Sequence, residues 1–300
     1  MNFESQKINT LIQLAIQEDI GPGDITTESI FSPHLMGEGE FIAKEDGIIA
    51  GLPVIGHFFS KIDENIFLKT FISDGTFVKK GEVFASVNGR VQSLLSGERI
   101  ALNFLQRLSG IATFTAQFVE KVKPLKVAIM DTRKTVPGWR YLEKYAVTMG
   151  GGVNHRMGLY DQVLIKDNHL DFMKKELSAE EIADASVIKK TISKVRRKTG
   201  SNILIEVETR TLTEVEDAIN AGADVILLDN MNPAGIKKAV SLVKNCKYGK
   251  ESYRPLTEAS GNITLDNVKS IAETGVDRIS IGALTHSAKA LDISLKISRK

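Results

Sequence analysis

Residues 150–169, GGGVNHRMGLYDQVLIKDNH, crowd imidazole, guanidinium, ammonium and carboxylate groups behind three consecutive glycines. With the preceding DTRK, the chain offers Arg133, Lys134, His155, Arg156 and Lys166 as cations at or near the ends of apolar runs. Such a set repels itself unless an anion joins it, and the planar fork of arginine matches carboxylates and phosphates. The expected ligand is therefore highly anionic. A solvated basic face is the plain alternative, but solvated charges usually lie along helices rather than beside Asp131 and Asp167.

Acids stand opposite. In NILIEVE the alternation sends Leu204, Glu206 and Glu208 to one face and Ile203, Ile205 and Val207 to the other. Two carboxylates on the inner side of a buried strand are costly unless they line a wet cavity or meet cations. Asp229 ends the next apolar run and adds a third acid, which favours an acidic wall over a simple buried ion pair. The small residues of EASGN and SIGALTHS, around Ser260, Gly261 and Gly282, let backbone amides approach a phosphate. Acids, cations and a phosphate seat suit transfer at the anomeric carbon of a phosphosugar. Hydrolysis or isomerisation fits this set nearly as well.

Several elements must position these groups. Ile8, Leu11, Ile12, Ala15 and Ile16 have helical spacing, and Gly21 follows as a stop. Residues 35–95 read as hairpin-rich sheet, short apolar runs broken by turn pairs. A long helix is expected from near Ser96 to before Pro124, with Glu98 in its first turn. Beyond it KVAIMDT, QVLIKDN, NILIEVE, ADVILLD, PLTEASG and DRISIGA read as strands, most of them separated by helical segments. Thr211 with Glu214 and Ser178 with Glu181 have capping-box spacing, and Gly200, Gly222 and Gly275 fall at helix stops. Because every strand finishes in polar groups, an incomplete α/β barrel is favoured over an open sheet: a barrel gathers its strand ends on one rim.

Composition adds limits. With 39 basic and 37 acidic side chains and a formal net charge of +2, no global field draws in nucleic acid or an anionic membrane. The single cysteine, Cys246, excludes an internal disulfide and fits a reducing compartment. GIIAGLPVIGHFF is too short and too interrupted to span a bilayer, so a cytoplasmic protein without nucleic-acid or membrane partners is expected.

GDITTES, SGERIALNFLQRLSGIAT, DTRKTVPGWRYLEKYAV, GGGVNHRMGLYDQVLIKDNH, ILLDNM, EASGNI and ISIGALTHS together resemble the quinolinate phosphoribosyltransferase family, from about residue 8 to the end. The resemblance implies an N-terminal α+β sandwich domain over 1–112 and an incomplete α/β barrel over 113–300, whose C-terminal tail packs back on the first domain. It implies a homodimer with shared active sites, and a reaction joining the nitrogen of quinolinate to C1 of 5-phosphoribosyl 1-diphosphate with Mg2+ bound mainly through the diphosphate. Diphosphate and CO2 leave, and nicotinate mononucleotide remains. Arg133, His155, Arg156 and Lys166 would hold the two carboxylates, with Arg99 reaching in from the partner. Lys134 would face the diphosphate, Glu208 and Asp229 the ribose hydroxyls and the surroundings of the metal, and Ser260, Gly261, Gly282 and His286 the 5-phosphate. Lys134, Lys166, Glu208 and Asp229 would carry catalysis. Asn262 replaces a glycine usual in the family, and Trp139 a smaller apolar residue. The competing readings are a ModD-like pyrophosphorylase of molybdenum gene clusters and a non-catalytic phosphosugar-binding protein.

Overall fold

The computed structural model describes residues 3–246 and 254–299. Its first stretch runs α1 (Gln6–Asp19), α2 (Ile25–Ile30), β1 (Met36–Ala43), β2 (Gly47–Ile48), α3 (Leu52–Ile62), β3 (Phe67–Thr70), β4 (Phe77–Val78), β5 (Val83–Arg90) and α4 (Val91–Val122). Then follow β6 (Ala128–Met130), α5 (Arg140–Met149), β7 (Val163–Ile165), α6 (Asp167–Glu176), α7 (Ala179–Asp184), α8 (Val187–Thr199), β8 (Ile205–Thr209), α9 (Leu212–Asn220) and β9 (Val225–Asp229). The chain closes with α10 (Pro233–Asn245), β10 (Leu256–Ser260), α11 (Val268–Ala272), β11 (Arg278–Ser280), α12 (Ala283–His286) and β12 (Ile293–Arg299). Two compact units result. One takes Met1–Gln117, Lys134–Val153 and Gly282–Lys300, the other Phe118–Arg133 and Asn154–Ile281.

In the first unit an antiparallel sheet runs β12-β1-β5-β3. The alternation along β1 buries Gly37, Gly39, Phe41 and Ala43, and β12 lies beside it from Gly37↔Arg299 to Ala43↔Ile293. Reading 35–95 as sheet misses α3. Its Pro53 sits in the first turn, where a missing N–H costs nothing, and the Asp74 carboxylate accepts the amides of Gly51 at 2.6 Å and Leu52 at 3.1 Å. Leu52, Ile55 and Phe59, with Val54 and Phe58, bury one face, each contributing about 1.5–3 kcal/mol over exposure. The glycines and proline around this apolar run imitate turns between strands. GDITTES likewise has a structural role: Asp24 caps α2 by accepting Thr27 N–H at 3.0 Å. The long helix α4 starts at Val91 rather than near Ser96, and no acid occupies its first turn, so Glu98 has no dipole to complement.

The six expected strands of the second unit all form, in one parallel sheet of order β6-β11-β10-β9-β8-β7. From β7 to β11 successive strands are neighbours, and the last pairs with the first, β6. That order is the closure of a barrel, and among the described residues it lacks only a β6–β7 ladder. Thr211 and Ser178 make their expected capping boxes, while Gly200, Gly222 and Gly275 adopt φ of 73°, 75° and 82° after their helices. No described helix is long and apolar enough to cross a membrane.

Candidate active site

In the second unit Arg133 lies three residues past the end of β6, and Arg156, only 8% exposed, sits on the chain leading to β7. Arg156 Nη1 donates to the Gln162 carbonyl at 3.0 Å. Burial first, and then the charge of Arg133, hold the Arg156 guanidinium below its ordinary value. The protein thus keeps two cations close enough to repel, one of them dehydrated, an arrangement that an incoming dianion relieves. Lys166 follows β7 directly, as the N-cap of α6. Its amide donates to His169 Nδ1 at 2.9 Å, so His169 completes a helix cap.

Acids follow the next two strands. Glu208 and Asp229 stand at the ends of β8 and β9, with Asp167 beside them. Arg210 spans all three, at 2.7 Å from Asp167 and 3.4 Å from both Glu208 and Asp229. Burial, then the charges of Asp229 and Asp167, push the Glu208 carboxyl up, against Lys166 and Arg210. Sequence reading passed over Arg210, although it follows IEVET and stands where every other polar strand end was counted.

The interior departs from the expected acidic wall. Glu206 and Glu258 are fully buried, and His155 Nε2 lies 3.0 Å from Glu206 Oε2 and 3.5 Å from Glu258 Oε1. Gln162 Nε2 also donates to Glu206 Oε2, at 2.9 Å. Glu206 thus belongs to a buried polar cluster while Glu208, two residues on, meets Arg210. Alternation puts both on one face, but depth along the strand separates their surroundings. Desolvation and the neighbouring Glu258 carboxylate raise Glu206. One level down, the fully buried Asp131 accepts the His155 amide at 2.8 Å.

Ser260 ends β10 and Gly261 follows it. Gly261 has φ 96°, and a side chain there would press on Asn230, its Cβ meeting Asn230 Cγ at 2.6 Å. Asn262 has φ 53°, the left-handed conformation that suits glycine and that asparagine tolerates. Its Nδ2 donates to Asn230 Oδ1 at 3.0 Å. The departure from glycine therefore keeps the backbone path.

The first unit carries the remaining residues. Around Gly282 a Cβ would meet Lys134 Cδ at 2.8 Å and His286 Nε2 at 3.2 Å, so glycine leaves a cradle between two potential cations. Thr285 Oγ1 donates to the Lys134 carbonyl at 2.7 Å, and Arg107 Nη2 donates to the Thr285 carbonyl at 2.7 Å. Arg107 is held in turn by the fully buried Glu143, at 2.5 Å, which also accepts Val136 N–H at 3.2 Å. Neither Arg107 nor Glu143 was singled out in the sequence, because a charged pair on two helices has no local spacing signal. Trp139 stacks on Phe104 with centroids 5.0 Å apart. Arg99 is exposed on α4. In the second unit a groove of about 920 Å³ lies between α9 and α10, lined by Leu212, Lys237, Leu242 and Cys246 among others, and none of the residues above borders it.

Two family models match. That described as "Quinolinate phosphoribosyl transferase, N-terminal domain" covers residues 24–109, and "Quinolinate phosphoribosyl transferase, C-terminal domain" covers 111–296. The chain is 44% identical to the probable nicotinate-nucleotide pyrophosphorylase [carboxylating] of Bacillus subtilis, over 97% of this chain and 94% of that one. It is 42% identical to the chloroplastic nicotinate-nucleotide pyrophosphorylase [carboxylating] of Oryza sativa, over 97% and 77%. A crystal structure of NadC from Streptococcus pyogenes, 36% identical, superimposes with a TM-score of 0.89 over 100% of this chain and 99% of that one.

Proposed function

The chain belongs to the quinolinate phosphoribosyltransferase family, and from that premise we propose how its own side chains serve the reaction. Quinolinate and 5-phosphoribosyl 1-diphosphate combine, through the pyridine nitrogen and C1 of the sugar, to give nicotinate mononucleotide, diphosphate and CO2.

Arg133, Arg156 and Lys166 bind the quinolinate carboxylates, with Arg99 supplied by the partner in a homodimer. The dianion discharges the repulsion stored between the two guanidiniums, and the fork of Arg156, already fixed by Gln162, sets its angle. Glu208 and Asp229 hold the ribose hydroxyls and stabilise positive charge as C1 loses its leaving group. Arg210 balances these acids before substrate arrives. Lys134 meets the diphosphate, while Ser260, Gly261, Gly282 and His286 receive the 5-phosphate. The oxygen set of Glu208, Asp229 and Asp167 fits the outer surroundings of a hard divalent cation; Mg2+, carried mainly by the diphosphate, supplies neutralisation of the departing charge. After transfer the ring nitrogen is quaternary, so the electron pair that CO2 leaves on C2 is stabilised as an ylide, which takes a proton from water to form the C2–H of the product; desolvation with ion pairing suffices for the loss of CO2 without a strong base. Lys166 then orients and transfers no proton. The residues are suited to cytoplasmic chemistry, with Cys246 as a free thiol.

The observation that carries this reading is a buried arginine beside a second arginine after β6, combined with acid-ended β8 and β9 in the same parallel sheet. The test is a spectrophotometric assay with phosphoribosyl diphosphate and Mg2+, comparing quinolinate with nicotinate. Nicotinate mononucleotide and CO2 from quinolinate alone are expected. Turnover of nicotinate, or none of either, would favour the ModD-like or non-catalytic reading.

A further inference from the structure

The imidazole of His155 is engaged at both nitrogens. Nε2 faces Glu206 Oε2 at 3.0 Å and Glu258 Oε1 at 3.5 Å. Nδ1 accepts the backbone N–H of Arg156 at 2.7 Å. A nitrogen that accepts a hydrogen bond carries no proton, so the second contact decides the form of the ring. Burial works against charging this imidazole and the two glutamates work for it; between them they would pull it up to about 10. The amide aimed at Nδ1 opposes that outcome, since a proton there would meet another hydrogen. The same contact argues against a metal ion among His155, Glu206 and Glu258, although their donor atoms all lie within 4.8 Å of one another. With Nδ1 already an acceptor, a neutral ring carries its hydrogen on Nε2 and has no lone pair left there to give.

We infer that His155 is a neutral positioning residue, not a cationic contact for quinolinate: it donates from Nε2 to the buried Glu206, beside Glu258, and fixes the Arg156 backbone through Nδ1. The surroundings agree. His155 N–H is tied to Asp131, and its side chain is 7% exposed. Consecutive amides are thus clipped, the first to Asp131 just past β6 and the second to a ring anchored on β8. Arg156 is presented from a point that two strands determine. Glu206 becomes a positioning residue as well, acting through His155, with Glu258 packed beside it. The charged groups facing the cluster are Arg278, which acts on Glu206, and Arg133 and Asp161, which act on Arg156. Carboxylate recognition then falls to Arg133, Arg156, Lys166 and the partner's arginine, which rests, with the kinetic test, on the proposed function.

Ring 15N NMR of the full-length enzyme, with His155 assigned by substitution, reads the tautomer directly. The expected spectrum shows an unprotonated Nδ1 and a protonated Nε2 from about pH 6 to about pH 9, unchanged by saturating quinolinate. Protonation of both nitrogens, free or on binding quinolinate, overturns the inference whatever the assay of turnover shows. Kinetics supply the second arm. His155→Asn keeps an acceptor near Nδ1, whereas His155→Gln keeps only a donor near Nε2. The Gln variant should raise KM for quinolinate roughly five- to tenfold above that of the Asn variant, the loss of about one hydrogen bond, with KM for phosphoribosyl diphosphate unmoved. Equal losses in both, or a larger loss in Asn, would count against the Nδ1 anchor.

Discussion

Exchanging Arg156 for lysine keeps the charge and removes the fork. In the protein as it stands, Arg156 is 8% exposed and spends Nη1 on the Gln162 carbonyl at 3.0 Å, which leaves its other donors for a carboxylate. An ammonium is a single point of charge on a shorter, freer stem. Its three N–H donors radiate from one atom, so it cannot keep the carbonyl bond and also present two parallel donors to the carboxylate. One charge-assisted hydrogen bond to the substrate is lost, about 1.5–3 kcal/mol, and each 1.4 kcal/mol is tenfold in affinity. KM for quinolinate in Arg156→Lys should rise from about tenfold to about 150-fold, while KM for phosphoribosyl diphosphate stays within a few-fold. The backbone bond from the Arg156 amide to His155 does not involve the exchanged side chain, so melting should move little. Steady-state diphosphate release at varied quinolinate, beside a thermal melt, measures both. An unchanged KM in a variant that melts normally would refute the bidentate role and with it the assignment of this buried arginine to the substrate.

Other outcomes follow from the same contacts. Asp63 is held well below the ordinary carboxylate value of 3.8, first by Arg90 and against burial, with further help from the Asn65 amide and Ser93. A depressed folded value means its stabilisation is complete above about pH 4 and fades as acid carries the pH down through the folded value; Asp63→Asn should flatten that acid limb in melts taken across low pH. Glu143→Gln breaks a fully buried partner of Arg107 and leaves Val136 N–H with a weaker acceptor. Arg107 is 27% exposed, so the loss should fall below the usual cost of a broken buried pair, at about 2 kcal/mol, lowering Tm by about 4–8 °C by calorimetry. Gly282→Ala places a methyl against Lys134 and His286 and should raise KM for phosphoribosyl diphosphate about tenfold, one displaced phosphate contact, without altering KM for quinolinate.

The strands were legible because each is a short β-rich run between helical periods, and their polar ends marked the rim. Helix caps read equally well, since Thr211–Glu214 and Ser178–Glu181 act within one turn. Helix α3 was not legible: its proline and glycines imitate turn punctuation, and the Asp74 side chain that caps it lies 22 residues away. Period-two alternation correctly put Glu206 and Glu208 on one face, yet it holds no information on depth, and depth separates a buried His155 partner from an acid facing Arg210. Glu258 went unnoticed for the related reason that a single acid inside EASG reads as part of a loop motif. Likewise, a count of cations says nothing of the His155 ring's form, which turns on the direction of the neighbouring Arg156 amide.

The missing ladder between β6 and β7 has a mechanical meaning. A hoop of staves bound all the way round has a fixed girth, whereas a split ring can spread at its seam for little energy. The seam here falls between the two staves that lead to Arg133 and to Lys166. Among the described residues no hydrogen-bond ladder ties these two staves to each other, while the acid-bearing staves opposite are locked in register by their neighbours.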